Sequence, residues 1–252
     1  AKPRKLGLTM ALDKNLGLNA LDDFLSTAGD HVDIAKMAWG TSRIIHRGVV
    51  EEKVRRYRDH GVKVCPGGTL MEIAYLQGVA ETALEEAKDM GFNCVEISDG
   101  TVRMPQTDKL RLIEKAASMG FEVMSEIGRK NRFEDQALSV EDRVKNALAE
   151  MQAGSSRIIM EGREAGSVGI FDQTGSVIPQ FVDYLVSHLN LRDVIFEAPH
   201  QEQQMWLITH LGNDVNIGNV APEGCINLET LRLGLRSDTL RWYHHGRSES
   251  QA

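Results

Sequence analysis

The chain has 252 residues, 42% hydrophobic and 26% charged, an ordinary balance that excludes an intrinsically disordered chain. Its formal net charge is −7 with no densely basic stretch, which argues against nucleic acid or an anionic membrane as partner. No apolar run approaches the roughly 18 residues of a membrane span, so a soluble protein without a membrane partner is expected.

Eight short apolar runs rich in β-forming residues occupy 6–12, 32–37, 62–65, 94–97, 122–125, 157–160, 194–196 and 215–220. Longer amphipathic stretches lie between them at 18–28, 51–60, 72–90, 108–119, 140–153, 177–189 and 201–211, and one more at 227–235 follows the eighth run. Strand alternating with helix predicts parallel strands joined by crossover helices. Gly61, Gly91, Gly120, Gly154 and Gly212 each stand at the end of a helical stretch, the place where a helix terminus favours glycine. Eight repeats in this length predict an α/β fold, a single-domain (β/α)8 TIM barrel over 1–246, with a polar tail at 247–252. The first turn reads DKNLG and lacks GxGxxG, which argues against an open dinucleotide-binding sheet. Cys65, Cys94 and Cys225 form no CxxC pair and no even framework. Together with an N-terminus lacking signal-peptide architecture, they predict a reducing cytoplasm.

The active site of such a barrel lies where its strands end. Those ends carry Asp13 and Lys14, then Lys36 leading to Trp39, then Pro66-Gly67-Gly68-Thr69. Glu96, Ser98 and Asp99 follow the fourth run, and Ser125, Glu126, Arg129 and Lys130 the fifth. Glu161, Arg163 and Glu164 follow the sixth, Glu197 the seventh, and Asn216, Gly218 and Asn219 mark the eighth. Carboxylates grouped in this way suit a hard cation such as Mg²⁺, and neighbouring Lys and Arg suit carboxylate and phosphate groups. A small polyanion reacting through an enolate fits both halves of that set. Any one such charge could be a solvated rim residue, but recurrence at every strand exit points to a site. Gly67 and Gly68 are read as turn residues with positive φ, and Trp39 as packing at the core or rim. The eight histidines show no ligand spacing, and Cys65 has no strand-end His to activate it.

The segments GLTMALDKNLG (7–17), AKMAWGTS (35–42), VCPGGTLMEIA (64–74), VEISDGT (95–101), SEIGRK (125–130), EGREAG (161–166), FEAPHQEQQ (196–204), VNIGNV (215–220) and LETLRLGLRSDT (228–239) resemble the phosphosulfolactate synthases. The resemblance implies a lyase that adds sulfite to phosphoenolpyruvate with Mg²⁺, giving (2R)-phospho-3-sulfolactate on a route to sulfolactate or coenzyme M. It also implies a homo-oligomer. The family's acid falls on Lys130, which would protonate the carbon next to the one attacked. Lys36 is expected as a second catalytic lysine that holds substrate anions. Asp13, Lys14, Arg129, Arg163, Gly218 and Asn219 are expected to bind substrate, and Glu126, Glu161 and Glu197, with Asp99 in reserve, to hold the metal. The fifth exit reads GRK where family members read GKK, so Arg129 keeps a charge but changes its shape. Two alternatives share the resemblance: a phosphoenolpyruvate or enolate enzyme with another nucleophile, and a non-catalytic stress-associated member.

Overall fold

A computed structural model describes residues 2–249. In chain order the elements are β1 (Thr9–Asp13), α1 (Leu18–Ala28), β2 (Ile34–Met37), α2 (Thr41–Ile44), α3 (Arg47–Asp59), β3 (Lys63–Pro66) and α4 (Gly68–Leu76). Next come α5 (Ala80–Asp89), β4 (Cys94–Ile97), α6 (Gln106–Ser118), β5 (Glu122–Ile127), α7 (Arg132–Gln136), α8 (Val140–Gln152) and β6 (Ser155–Met160). The chain ends with α9 (Pro179–His188), β7 (Val194–Glu197), α10 (Gln201–Leu211), β8 (Asn216–Val220), α11 (Cys225–Arg232) and α12 (Ser237–Glu249). The expected strands and major helices are present, with boundaries moved by a few residues. Two expectations change. The single helix expected over 72–90 is two helices, because Gly78 takes φ +70° and turns the chain between α4 and α5. A further helix, α12, covers 237–249, so the backbone stays helical past the expected tail boundary; 250–252 lie outside the described residues.

The eight strands form one sheet in the order β3-β2-β1-β8-β7-β6-β5-β4, and every pairing is parallel. This is a barrel closed except at one seam: among the described residues no ladder joins β3 to β4. Side chains bridge that seam. Asn93 Oδ1 accepts the Val64 N–H at 2.8 Å, and Glu96 Oε1 accepts the Gly68 N–H at 2.9 Å. The five expected helix-ending glycines all have positive φ, from +67° at Gly61 to +116° at Gly154.

Strand side chains alternate between the two faces, and the alternation builds the site. One face packs on the helices as the main core, with Ala35, Val95, Ile158 and Phe196 among its strand residues. The other face fills the barrel with a separate cluster: Met10, Ile34, Cys65, Cys94, Met124, Ile159 and Ile195. Two residues further along five of these strands stand Lys36, Glu96, Glu126, Glu161 and Glu197. The apolar plug is therefore the floor on which a charged layer rests.

Candidate active site

Above that floor lies a cavity of about 300 Å³ to which all eight strand exits contribute. Leu12, Lys36, Gly68, Glu96, Glu126, Glu161, Glu197 and Asn219 line it from β1 to β8 in turn. Trp39, Arg163 and Asn219 also line it, and they are the non-glycine residues with left-handed backbone among those described, at φ 52°, 59° and 56°. Strained backbone gathered at one cavity is the usual mark of a functional site.

Lys36 is the electrostatic hub. Its ammonium lies 2.8 Å from Glu96 Oε2, 2.9 Å from Glu197 Oε1 and 3.7 Å from Glu126 Oε2. Burial alone would discharge it, but Glu197, Glu96 and Glu126 together raise its pKa well above normal. Burial pushes the Glu96 carboxyl up to about 7, against the pull of Lys36 and with the help of Glu126 and Glu197. Glu126 goes the other way: burial opposes its ionisation, yet Lys130 and Lys36 bring it to about 2. Glu161 is raised well above the carboxylate range, by burial first and then by the charges of Glu126 and Glu197.

Lys130 sits 3.6 Å from Glu126 Oε1, 3.8 Å from Glu72 Oε1 and 4.0 Å from Glu161 Oε2, and Thr69 Oγ1 accepts its hydrogen bond at 3.3 Å. Glu126 leads the carboxylates that raise its pKa, so it stays protonated, as a proton donor requires.

The carboxylates fit a divalent cation on their own geometry. Glu126, Glu161 and Glu197 each present an oxygen within 4.8 Å of the others. Glu126 Oε1 and Glu161 Oε2 are buried and, although the Lys130 ammonium stands 3.6 Å and 4.0 Å away, neither has a donor within hydrogen-bond distance. Acceptor oxygens of this kind are the ligands a hard cation takes.

At the rim, Arg163 donates from Nη1 to the Lys130 carbonyl at 3.1 Å, and its own N–H donates to Glu161 Oε1 at 2.7 Å. Lys14 pairs with Glu164 and lies 5.6 Å from the centre of the Trp39 ring. Trp39 is 49% exposed, so it is a rim residue and not core. Asn219 Oδ1 is buried without a partner at the cavity wall.

Four expected site residues lie elsewhere. Asp13 follows Leu12, so when Leu12 faces the cavity Asp13 faces α3. There it pairs with Lys53 at 2.8 Å and accepts from the Tyr57 hydroxyl at 2.9 Å, both fully buried. Asp99 and Arg129 face outward together: Asp99 pairs with Lys109 and Arg129, each at 2.8 Å, behind the exits of β4 and β5. Gly218 belongs to the barrel filling, where an added Cβ would stand 2.6 Å from Met10 Cε and 3.0 Å from Ile195 Cγ2. The reading of Gly67 and Gly68 as positive-φ turn residues also changes. Neither has positive φ; a Cβ on Gly68 would collide with Ser98 and come within 2.6 Å of Glu96 Oε1. Of the two acidic residues at the fourth exit, Glu96 lines the cavity and Asp99, the reserve metal ligand, does not. The alternation Cys94/Glu96, matching Ile34/Lys36 and Met124/Glu126, is the signal that selects Glu96. Glu72 is invisible to a strand-end criterion, since it sits on α4.

The family model for (2R)-phospho-3-sulfolactate synthase (ComA) matches residues 1–238. The chain is 44% identical over 240 residues to the phosphosulfolactate synthase of Methanothermobacter thermautotrophicus, covering 95% of this chain and 93% of that protein. It is 34% identical over 239 residues to that of Bacillus subtilis, covering 94% of each. The Arabidopsis thaliana protein HEAT-STRESS-ASSOCIATED 32 matches at 22% over 255 residues, covering 92% of this chain and 87% of that protein. Among solved structures, 3-hexulose-6-phosphate synthase from Salmonella typhimurium superposes with a TM-score of 0.60 at 15% identity, covering 91% of this chain and all (100%) of that one. That likeness supports the barrel fold alone. A family match along nearly the whole barrel, and relatives of the same name from an archaeon and a bacterium, lead to one conclusion: the chain belongs to the phosphosulfolactate synthase family.

Proposed function

We propose that this protein joins sulfite to phosphoenolpyruvate, forming the carbon–sulfur bond of (2R)-phospho-3-sulfolactate. The observation that carries the reading is the cavity itself, with a buried carboxylate trio on one side and Lys130 beside it. Glu126, Glu161 and Glu197 would hold Mg²⁺. When bound, Mg²⁺ supplies positive charge opposite the charge that builds on the substrate carboxylate.

The chain's own groups do the rest. Lys36 holds Glu96 and Glu197 in fixed positions and keeps the carboxylate layer from repelling itself apart. Arg163 and Lys14 at the rim offer cations to the phosphate and to incoming sulfite, and Asn219 offers an amide at the wall. Sulfite attacks the methylene carbon, and the electron pair of the double bond moves toward the carboxylate as an enediolate. Lys130 then gives its Nζ proton to the neighbouring carbon from one face, which sets the configuration. As an addition to a double bond, the step belongs with the lyases. Three buried free thiols support placing the protein in a reducing cytoplasm.

The deciding assay combines protein, phosphoenolpyruvate, sulfite and Mg²⁺ and follows loss of the enol absorbance. Sulfite-dependent loss that stops on chelation is expected. No loss with folded protein overturns the reading, and loss only with another nucleophile reassigns the second substrate.

A further inference from the structure

Glu72 lies on α4, outside the ring of strand ends, yet its carboxylate is 1% exposed and fully engaged. Its Oε1 accepts from the Ser98 hydroxyl at 2.6 Å, and its Oε2 accepts from the Thr101 and Val102 N–H groups, both at 2.8 Å. These donors bracket the loop that leaves β4. At the middle of that loop Gly100 passes beside the site with no room for a side chain. A Cβ there would stand 3.2 Å from Glu126 Oε1, 3.3 Å from Glu161 Oε2 and 3.3 Å from Lys130 Cγ. The Gly100 carbonyl also accepts the Lys130 N–H at 2.9 Å. Glu72 Oε1 lies 3.8 Å from the Lys130 ammonium.

From this geometry we infer that Glu72 is the positioning residue of the site. Its carboxylate holds the β4 exit loop so that Gly100, with no side chain to crowd the Glu126–Glu161 pair, fixes Lys130 through its carbonyl while Glu72 itself faces the ammonium. Charge alone does not require Glu72 here, because Glu126 and Glu161 already face Lys130. Two N–H donors and one hydroxyl converging on a single buried carboxylate make an anchor. An anchored loop keeps Lys130 within the narrow range that proton delivery demands, where an ångström of misplacement costs about a hundredfold in rate. The inference rests on the reading of Lys130 as proton donor, but the placement of Lys130 is testable without turnover.

The test uses the full chain with Glu72→Gln and Glu72→Ala. Glutamine keeps the shape, and its carbonyl can still accept both loop N–H groups, so it remains informative if the alanine variant fails to fold. Brief acetylation with acetic anhydride, followed by peptide mass spectrometry, reads the reactivity of Lys130 against Lys115, a partly exposed lysine paired with Glu81 away from the β4 exit loop. The Lys130/Lys115 ratio is expected to rise at least about fivefold in Glu72→Ala and less in Glu72→Gln. In turnover with phosphoenolpyruvate and sulfite, kcat per folded molecule is expected to fall about 100-fold for alanine and about 10-fold for glutamine, with KM for phosphoenolpyruvate within threefold. A merely structural role lowers the yield of folded protein and leaves both ratios unmoved. An unchanged acetylation ratio in both variants overturns the inference. If the wild type shows no turnover, the proposed reaction fails, and acetylation alone decides the role of Glu72.

Discussion

Replacing Glu96 with glutamine removes a carboxyl that burial has pushed up to about 7 from the ordinary glutamate value of 4.5. Between those two values the folded protein holds a proton that the unfolded chain releases. Folding stability therefore falls as pH rises through this window, because the native state binds more protons than the unfolded one. Glu96 is 2% exposed, so solvent screening takes little from the effect. A shift of this size amounts to about 2–3 kcal/mol between pH 5 and pH 8, at roughly 1.4 kcal/mol per unit. The glutamine keeps an oxygen for the Gly68 N–H and carries no titration. Urea unfolding of wild type and Glu96→Gln, with chelator present, at pH 5, 6, 7 and 8 isolates this titration. Wild type loses about 2–3 kcal/mol relative to the variant across the series, or roughly 5–10 °C in Tm for a chain of this size. A difference between the two proteins that stays constant from pH 5 to pH 8 refutes the argument that Glu96 is protonated by its surroundings.

Three other perturbations probe separate parts of the molecule. Lys130→Met lowers kcat by about 10²–10⁴ with an unchanged circular dichroism spectrum, and full turnover in that variant removes the lysine from the reaction. Glu161→Gln takes one oxygen ligand from the trio, and titration calorimetry with Mg²⁺ reads an affinity at least tenfold weaker; equal affinity places the cation elsewhere. Lys53→Met strands the buried Asp13 carboxylate and destabilises the fold by about 3–5 kcal/mol in urea unfolding, while kcat per folded molecule stays unchanged. A fall in kcat would return Asp13 to the substrate side.

Much of the architecture is legible in the chain because it rests on local rules. Apolar runs of strand length, amphipathic stretches between them and helix-ending glycines fix eight repeats, and eight repeats at this length favour a closed barrel. The same rules locate the site at strand exits, and there Lys36, Glu126, Lys130, Glu161, Arg163, Glu197 and Asn219 do line one cavity. Asp13, Asp99, Arg129 and Gly218 show where position at a strand end is insufficient. Neighbouring residues on a strand point to opposite faces, so Leu12 and Asp13 share an address in sequence and not in space.

The period of the fold, the charge at the strand ends and the family motifs can all be read along the chain. Which charges meet is settled by folding. Lys36 finds Glu96 and Glu197 from three different strands, and Glu72 reaches the site from a helix through the loop it anchors. The difference is one of range. Propensity and alternation act between near neighbours, whereas a carboxylate's ionisation and a lysine's position depend on burial and on groups brought together from distant parts of the chain.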